Sequence, residues 1–193
     1  MVKKKSVNSG FLIRYGPLEP VTPVRIRPGL LIFMKQLDFS IEKTNKNDAK
    51  EISNLQISLC KEMQRIDPKG AKLKNGFEKG VLDWYSKNMS NKRYMCLKAI
   101  SNGNIIGFLD CEIKKEIPIF SRKYVGHIHD AYTLPKFRKE GICSALIAEA
   151  MKWFKKNNIR KITLETLSKN TAAINFYKRN NFEEYRKQFR VLR

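Results

Sequence analysis

The side chains best suited to proton transfer lie close together, between residues 127 and 132. His127 and His129 are the chain's only two histidines, and the surrounding apolar and β-favouring residues predict a strand. Residues two apart on a strand share a face, so both imidazoles are expected on one side. Asp130 is expected on the other face, as a structural or substrate-binding carboxylate. An imidazole titrates near pH ~6.5 and therefore suits a general base at neutral pH.

A short turn leads from this strand into a helix. Pro135 ends the strand because proline has no N–H to donate to a ladder. Small residues at the mouth of the helix leave backbone N–H groups unpaired at the positive end of the helix dipole, which suits a phosphate or pyrophosphate. Arg138 adds a charge-assisted contact. The residues assigned to this anion site are Arg138, Lys139, Glu140, Gly141, Ile142, Cys143 and Ser144.

This stretch resembles motif A of the GNAT superfamily of acetyl-CoA-dependent N-acetyltransferases, Arg/Gln-x-x-Gly-x-Gly/Ala. Arg138 and Gly141 match the motif. Cys143 stands where Gly or Ala is usual, and Thr133 stands where the strand before the motif has Val. The strand, the proline, the turn and the helix occur in the family's order.

A second stretch, 170–182, resembles motif B of the same family, Asn-x-x-Ala-x-x-Phe-Tyr-x-x-x-Gly-Phe. Asn181 departs from the motif where Gly is usual. Asn tolerates the left-handed backbone that a helix end requires, so the replacement is mild.

The resemblance implies an α/β (α+β) GNAT fold with a mixed, mostly antiparallel central sheet. About six or seven strands are expected, flanked by about four helices and splayed at the central strand to admit the donor. It also implies acetyl transfer from acetyl-CoA to a primary amine by direct attack in a ternary complex. The alternatives are a protein N-terminal acetyltransferase, and a non-catalytic module that binds CoA or nucleic acid.

The family's site residues carry over by position. Tyr177 matches the tyrosine that protonates the departing thiolate, although a tyrosine there could also be a core residue. His129 stands where diamine-type relatives have their general-base Glu; the alternative is a histidine that only lines the pocket, with His127, Glu62 or Glu78 as the base. The remaining assignments are Ala131, Tyr132, Thr133, Asn170 and Ala173 for the donor, and Asp130 and His127 for the acceptor.

Composition limits the remaining classes of function. A net charge of +21 over 193 residues attracts polyanions, yet no nucleic-acid-binding motif accompanies it, so nucleic acid is not expected as a partner. The charge instead favours a neutral or acidic acceptor amine. Four isolated cysteines without a Cys/His cluster indicate no metal site and a reduced, cytoplasmic setting. No apolar run is long enough to span a bilayer, so no membrane partner is expected. A homodimer is considered as the assembly.

Two regions differ in composition. Residues 1–37 are rich in Gly, Pro and basic residues and are interpreted as an N-terminal extension, and residues 38–193 as the acetyltransferase domain. The extension could be a flexible arm, leader sequence upstream of a start at Met34, or a strand around 11–15 or 30–33 that pairs with the domain or a partner subunit.

Periodicity and turn residues predict the other elements. Strands are expected at 39–43, 93–100, 105–114, 127–134 and 160–166, and the Asn-Gly pair at 102–103 predicts a hairpin turn. Helices are expected at 52–66, at 77–89, around 146–154 and after Asn170. Two short closing strands are expected at 182–185 and 187–192.

Overall fold

The protein is described by a computed structural model, which covers residues 13–14 and 37–191. Within these residues a single sheet runs in the order β1-β2-β3-β4-β5-β6. All neighbouring strands are antiparallel except β5 and β6, which are parallel. The strands are β1 (Ile13–Arg14), β2 (Ser40–Lys43), β3 (Tyr94–Ser101), β4 (Asn104–Lys115), β5 (Tyr124–Thr133) and β6 (Ile162–Leu164).

Four α-helices cover the two faces of this sheet in the described part of the chain. They are α1 (Ala49–Ile66), α2 (Phe77–Asn88), α3 (Ile142–Lys156) and α4 (Thr171–Arg179). α1 and α2 pack on one face through a core that contains Ile52, Leu55 and Tyr85. α3 packs on the opposite face through Leu146, Ala150 and Phe154, and α4 packs against the same core. None of these helices is long and apolar enough to cross a bilayer.

The two ends of the sheet are named here after β5. The Tyr124 end is where β5 begins, and it also carries the end of β4, the starts of β3 and β6, and the end of α3. The Thr133 end is where β5 finishes and α3 begins. Close packing fixes α3 across β5, because a Cβ added at Gly126 would lie 2.6 Å from the ring of Phe154.

Most of the expected elements are confirmed. The mixed, mostly antiparallel sheet with four helices agrees with the expected fold class, although the strand count is at the lower limit: five strands have three residues or more, and β1 has two. The Asn102-Gly103 hairpin has positive φ at both residues (49° and 76°), as a type I′ turn requires. α4 is followed by Asn181 at φ 63°, the left-handed position for which Asn was judged a mild replacement.

The expected closing strands are wrong, because residues 182–191 form no strand. Apart from Phe182, this segment is exposed throughout and has no alternation of buried and exposed residues. An ion pair between Arg190 and Asp67 joins it to the loop after α1 instead of a backbone ladder.

The N-terminal region contributes at least one edge strand. Ile13 pairs with Ile41 and Arg14 pairs with Ser40, as in the alternative that placed a strand around 11–15. The rest of that region, including Met34 and the stretch 30–33, lies outside the described residues.

A β-bulge interrupts β5 at His129. Asp110 of β4 pairs with Asp130, and the next residue, Cys111, pairs with Ile128, so His129 has no partner across the ladder. An extra residue bends a strand and rotates the side chains that follow it. The parallel pairing with β6 also stops at Ile128, so the two strands separate at this point.

Candidate functional site

The second half of β5 has one free edge. Residues 130–133 pair with β4 on one side, whereas the pairing with β6 on the other side covers only Gly126 to Ile128. The backbone groups of Ala131 and the N–H of Thr133 on the β6 side are therefore available to an extended ligand, which could bind as an additional strand, whereas the carbonyl of Thr133 accepts from Arg138. Sequence reasoning expected this opening at the same residues.

The turn between β5 and α3 lies at one end of that free edge. Pro135–Phe137 forms a short 3-10 turn, and Lys139 and Gly141 then adopt positive φ of 71° and 78°. α3 makes its first helical bond from the N–H of Ala145 to the carbonyl of Gly141. Among the described residues, the N–H groups of 139–144 donate no hydrogen bond, so an anion in the turn would meet several donors and the positive end of α3.

Gly141 leaves this turn open. A Cβ built at this position meets no atom within 4 Å. A positive φ disfavours residues with a side chain, and the open space is the place where a phosphate would approach the backbone. Lys139 adopts a similar φ with a full side chain, a strained conformation of the kind that is enriched at ligand sites.

Arg138 has different partners from those expected. Its Nε donates to the carbonyl of Thr133 at 3.0 Å, and its Nη2 lies 2.8 Å from both carboxylate oxygens of Glu62 on α1. The guanidinium also lies over the ring of Tyr132, 5.4 Å from its centroid. Arg138 therefore ties α1 to the end of β5, and a phosphate contact would compete with Glu62.

Tyr177 lies on α4, with its ring between Phe176 and Phe182. Its hydroxyl has no hydrogen-bond partner among the described residues, and burial raises the pKa of this phenol above its usual value. Cys143 in the turn and then Asp130 make smaller contributions that also raise the pKa of this phenol. A protonated, unpartnered phenol at this place is suited to donate a proton.

Asn170 caps α4, as expected from the sequence. Its side-chain oxygen accepts the N–H of Ala173 at 3.1 Å, which satisfies a donor of the first helical turn. The structure gives both residues a role at the helix start, and their assigned contact with a donor stays a prediction.

Cys143 is a protonated thiol in the first turn of α3. Burial raises its pKa to about 12, so little of the nucleophilic thiolate is present at neutral pH. This agrees with its interpretation as a packing residue.

His129 projects from the bulge beside Glu112 and Trp84. Its Nε2 lies 3.2 Å from Oε1 of Glu112, and its ring meets Trp84 edge-on with centroids 5.8 Å apart. Burial lowers the pKa of His129, and Glu112 partly opposes that shift. Nε2 is buried and, in spite of this contact, forms no hydrogen bond with the described residues, and Nδ1 has no partner among them either.

His127 shares the face of His129, as the spacing predicted, with ring centroids 4.9 Å apart. Its Nδ1 lies 3.1 Å from Oγ of Thr163, and that hydroxyl donates to the carbonyl of Gly126. The Thr163 oxygen therefore accepts from Nδ1–H, which leaves Nε2 of His127 as the basic nitrogen. Burial lowers the pKa of His127 to about 4, so the ring is neutral at physiological pH.

The expected opposite orientation of Asp130 is wrong. Its carboxylate accepts from Gln56 of α1 at 2.9 Å, on the same side of the sheet as His129 and α2. The bulge at His129 is the physical reason, because it breaks the alternation of faces between consecutive residues. Burial raises the pKa of Asp130, and the Gln56 hydrogen bond opposes this.

A second acid lies behind Asp130. Asp110 pairs with Asp130 across the ladder and is fully buried. Its Oδ2 accepts from the hydroxyl of Tyr94 at 3.2 Å, while its Oδ1 has no partner in the part of the chain that the structure describes. Burial, followed by the nearby Asp130, raises the pKa of Asp110 well above its usual value. The nearby Asp130 therefore favours the protonated form of Asp110.

Several side chains of this site were not found from the sequence. Glu112 is opposite His127 only once the register of β4 and β5 is known. Gln56 and Trp84 lie on helices whose apolar pattern shows which face is buried but not which polar residues approach β5. The two helical glutamates named as alternative bases have different surroundings. Glu62 binds Arg138 and Tyr132, whereas Glu78 is exposed at the start of α2.

No cluster suited to a metal ion is present within residues 37–191.

The candidate site consists of two regions. One is a free strand edge next to an anion-binding turn, and the other is a polar pocket around His129 on the α1 and α2 side.

Comparison with known proteins gives a consistent family. The sequence matches the acetyltransferase (GNAT) family over residues 58–182. An N-acetyltransferase of Methanocaldococcus jannaschii is 29% identical over 146 residues, covering 76% of this chain and 61% of that protein. N-alpha-acetyltransferase 60 of Xenopus tropicalis is 29% identical over 117 residues, covering 53% of this chain and 48% of that protein. The chain thus spans about half to two thirds of the length of these relatives.

Solved structures share the fold. An aminoglycoside N-acetyltransferase, AAC(6')-Iy, in complex with CoA aligns with a TM-score of 0.64 and 19% identity, over 80% of this chain and 94% of that chain. An acetyltransferase from Clostridium acetobutylicum with acetyl-CoA aligns with a TM-score of 0.67 and 18% identity, over 80% and 96% of the two chains.

Proposed function

Because the chain belongs to the acetyltransferase (GNAT) family, we propose that it transfers an acetyl group from acetyl-CoA to a primary amine. The observation that carries this proposal is the free edge of β5 beside the open turn at Gly141. One extended ligand with a diphosphate at its far end suits both features.

In the proposed complex, the N–H groups of 139–144 hold the pyrophosphate and the backbone of Ala131 to Thr133 holds the pantetheine arm. This places the thioester beside the bulge, between Tyr177 on one side and His129 on the other. Such positioning of two reactants accounts for a large part of the rate enhancement available to a transfer reaction.

His129 is the proposed general base. The Glu112 carboxylate, 3.2 Å from Nε2, favours the tautomer with the proton on Nε2, and Nδ1 then takes a proton from the attacking ammonium, directly or through a water. The amine then attacks the thioester carbonyl, the C–N bond forms as the C–S bond breaks, and Tyr177 gives its proton to the departing sulfur. A protonated Cys143 beside that path is consistent with direct attack rather than an acyl-enzyme.

The acceptor pocket gives a first indication of substrate charge. Asp130 and Glu112 are acidic residues beside His129, although Lys114 lies 3.5 Å from Glu112, and Trp84 next to them is partly exposed. Local carboxylates favour an amine with additional positive charge, in contrast to the expectation drawn from the net charge of the whole chain. The relatives include aminoglycoside N(6')-acetyltransferases, and aminoglycosides have this character.

Acetylation of peptide N-termini is the second candidate. It is supported by the similarity to N-alpha-acetyltransferases, including proteins of Xenopus tropicalis and Sulfurisphaera tokodaii. A peptide would lie against β5 on the α1 and α2 side, next to His129.

The test is acceptor-dependent release of CoA from acetyl-CoA, measured with polycationic amines, single-charge amines and short peptides with free N-termini. We expect turnover with at least one class of acceptor and its loss in a variant with both His129→Gln and Tyr177→Phe. Equal CoA release by that variant and the wild type would contradict the proposed site.

A further inference from the structure

The loop between β4 and β5 exposes a cluster of apolar side chains at the Tyr124 end. Ile117 is 55% exposed, Ile119 is 83% exposed and Phe120 is 44% exposed, with Pro118 between them. Turn tips are normally built from Gly, Asn, Asp and Ser. A tip composed of two isoleucines, a proline and a phenylalanine has no role in the core described above.

Hydrogen bonds hold this tip outward. The N–H of Phe120 donates to the carbonyl of Ile117 at 3.0 Å, closing a turn with Pro118 at its second position. The N–H of Glu116 donates to the carbonyl of Lys123 at 3.0 Å and closes the base of the loop. The turn therefore keeps Ile119 pointing away from the domain.

Basic residues surround the tip because several elements begin or finish at the same end of the sheet. Arg93 precedes β3, Lys115 ends β4, and Lys161 precedes β6 and lies 5.6 Å from the ring of Phe120. The basic residues of this end are Lys92, Arg93, Lys115, Arg122, Lys123, Lys155, Lys156, Arg160 and Lys161.

Acidic residues do little to offset this charge. Glu116, the acid of the loop, is bound by Lys161 at 2.9 Å. Glu112 is directed into the pocket of His129. Glu184 in the tail pairs with Lys187.

We propose that this end of the sheet is a docking surface for an anionic lipid membrane, with the turn at 117–120 inserted among the headgroups. Apolar side chains surrounded by Lys and Arg suit an anionic bilayer, because the apolar side chains can insert among the lipids and the basic residues are attracted to the anionic headgroups. Nucleic acid would also attract the basic residues, but it offers few contacts to aliphatic side chains at the tip. A protein that matched the tip would have to supply an apolar pocket within an acidic rim, whereas the bilayer offers both without a specific shape.

This inference differs from the expectation that no membrane partner exists. That expectation rested on the lack of a spanning segment, whereas a docking surface needs only an interfacial contact. β5 has 10 residues, so the tip and the anion-binding turn are separated by about 30 Å along the strand. A docked protein would keep the Thr133 end, with its donor site, facing water.

The test is co-sedimentation of the full chain with vesicles of phosphatidylcholine alone and of phosphatidylcholine mixed with phosphatidylserine. Binding is expected only to the mixture, and it should weaken as salt is raised. The Ile119→Ser/Phe120→Ser variant should bind on the order of tenfold more weakly. The Arg122→Glu/Lys123→Glu variant should bind at least about 25-fold more weakly, at about fivefold for each basic residue removed.

Matched controls lie elsewhere on the surface. Leu82→Ser replaces an exposed apolar residue on α2, and Lys72→Glu/Lys74→Glu reverses two exposed charges in the loop at the Thr133 end. Both controls are expected to bind the mixed vesicles within about twofold of the wild type. Thermal melts of all variants confirm that the fold is retained.

Three results would overturn the proposal. The first is an absence of binding to the mixed vesicles at physiological salt. The second is equal weakening by the controls and by the tip variants. The third is binding that falls on charge reversal but not in the Ile119→Ser/Phe120→Ser variant, which would identify a general polyanion surface such as one for RNA.

Discussion

At the scale of single residues, the environment of His129 determines how it can act. Burial lowers its pKa and Glu112 raises it, so the net shift is downward from about 6.5. A base works in its deprotonated form, so the acidic limb of kcat/KM should lie below about pH 6.5. His129→Gln should lower turnover by about 10²–10⁴-fold and remove that limb.

The control for this prediction is His127→Gln, two residues away on the same face. It should leave the acidic limb in place, because the pKa of His127 is already about 4 and its ring is neutral across the window. Both profiles require an acceptor whose own titration falls outside the range measured. Persistence of the limb in His129→Gln, with little loss of rate, would show that His129 is not the base.

Glu112 provides a second prediction at this scale. Glu112→Gln removes the largest contribution that raises the pKa of His129, so that burial and Lys114, which lower it, are opposed by Asp130 alone. The acidic limb should therefore move to lower pH, while the plateau rate falls because the base is weaker. A purely structural role would lower the rate without moving the limb, so the pH profile separates the two cases.

Tyr177→Phe removes one hydroxyl and keeps the ring between Phe176 and Phe182. Turnover should fall by about 10²–10⁴-fold, with little change in acetyl-CoA affinity measured by calorimetry. Tyr185→Phe, at an exposed tyrosine of the tail, is the matched control and should keep full turnover. Unchanged turnover in Tyr177→Phe would leave this residue as a core tyrosine.

Predictions for single residues are confirmed where they depend on the alternation of side chains along a regular strand or on a known backbone preference. The spacing of His127 and His129 gave their common face, and Asn181 has the left-handed backbone expected of it. Asp130 was assigned to the wrong face because a bulge changes the alternation and no residue type near it signals one.

At the scale of elements, the turn that begins α3 depends on Gly141. Gly141→Ala should destabilise the fold by about 1 kcal/mol, since an L-residue at φ 78° is strained although no atom blocks its Cβ. The Cβ would also enter the space offered to the pyrophosphate, so acetyl-CoA affinity should fall. Denaturant unfolding and calorimetry measure the two effects.

Gly80→Ala is the matched control for this substitution. Gly80 lies inside α2, and a Cβ there also meets no atom within 4 Å. Alanine is the better helix former, so this variant should be more stable by about 0.5–1 kcal/mol with unchanged affinity. Opposite signs in the two variants are the expected result, and a stabilising effect of Gly141→Ala would contradict the strained turn.

Elements with strong periodicity were predictable, and pairing between distant segments was not. The apolar spacing within α1 and α3 correctly predicts both helices, and the Asn102-Gly103 pair correctly predicts the hairpin turn. The prediction of closing strands was wrong because the apolar residues of 182–191 form no ladder, and β6, the edge strand of the described sheet, has only three residues. Strand formation there depends on a partner edge, which local sequence does not reveal.

At the scale of the whole molecule, the buried cores are built from residues 37 onward in the described part of the chain. A chain lacking residues 1–33 should therefore melt cooperatively and bind acetyl-CoA, although it loses the pairing of Ile13 and Arg14 with β2. Calorimetric melts of the truncated and full chains make the comparison. Loss of the cooperative transition would mean that the N-terminal region is an integral part of the fold.

The family and the architecture could be predicted because two motifs in order, with a strand between them, specify one arrangement of β5, α3 and α4. The polar pocket could not, because it forms from β4, α1 and α2 around a bulge. Glu112, Gln56 and Asp110 reach it through register and helix packing, which are properties of the folded chain.

The central claim is that acetyl-CoA binds along the free edge of β5 and in the turn that begins α3. Amide hydrogen exchange, measured with and without acetyl-CoA, tests this location directly. With acetyl-CoA bound, we expect slower exchange at residues 131–133 and 139–144 and unchanged exchange in the hairpin turn at 101–104. Protection that appears elsewhere while residues 131–133 and 139–144 exchange as in the free protein would contradict it.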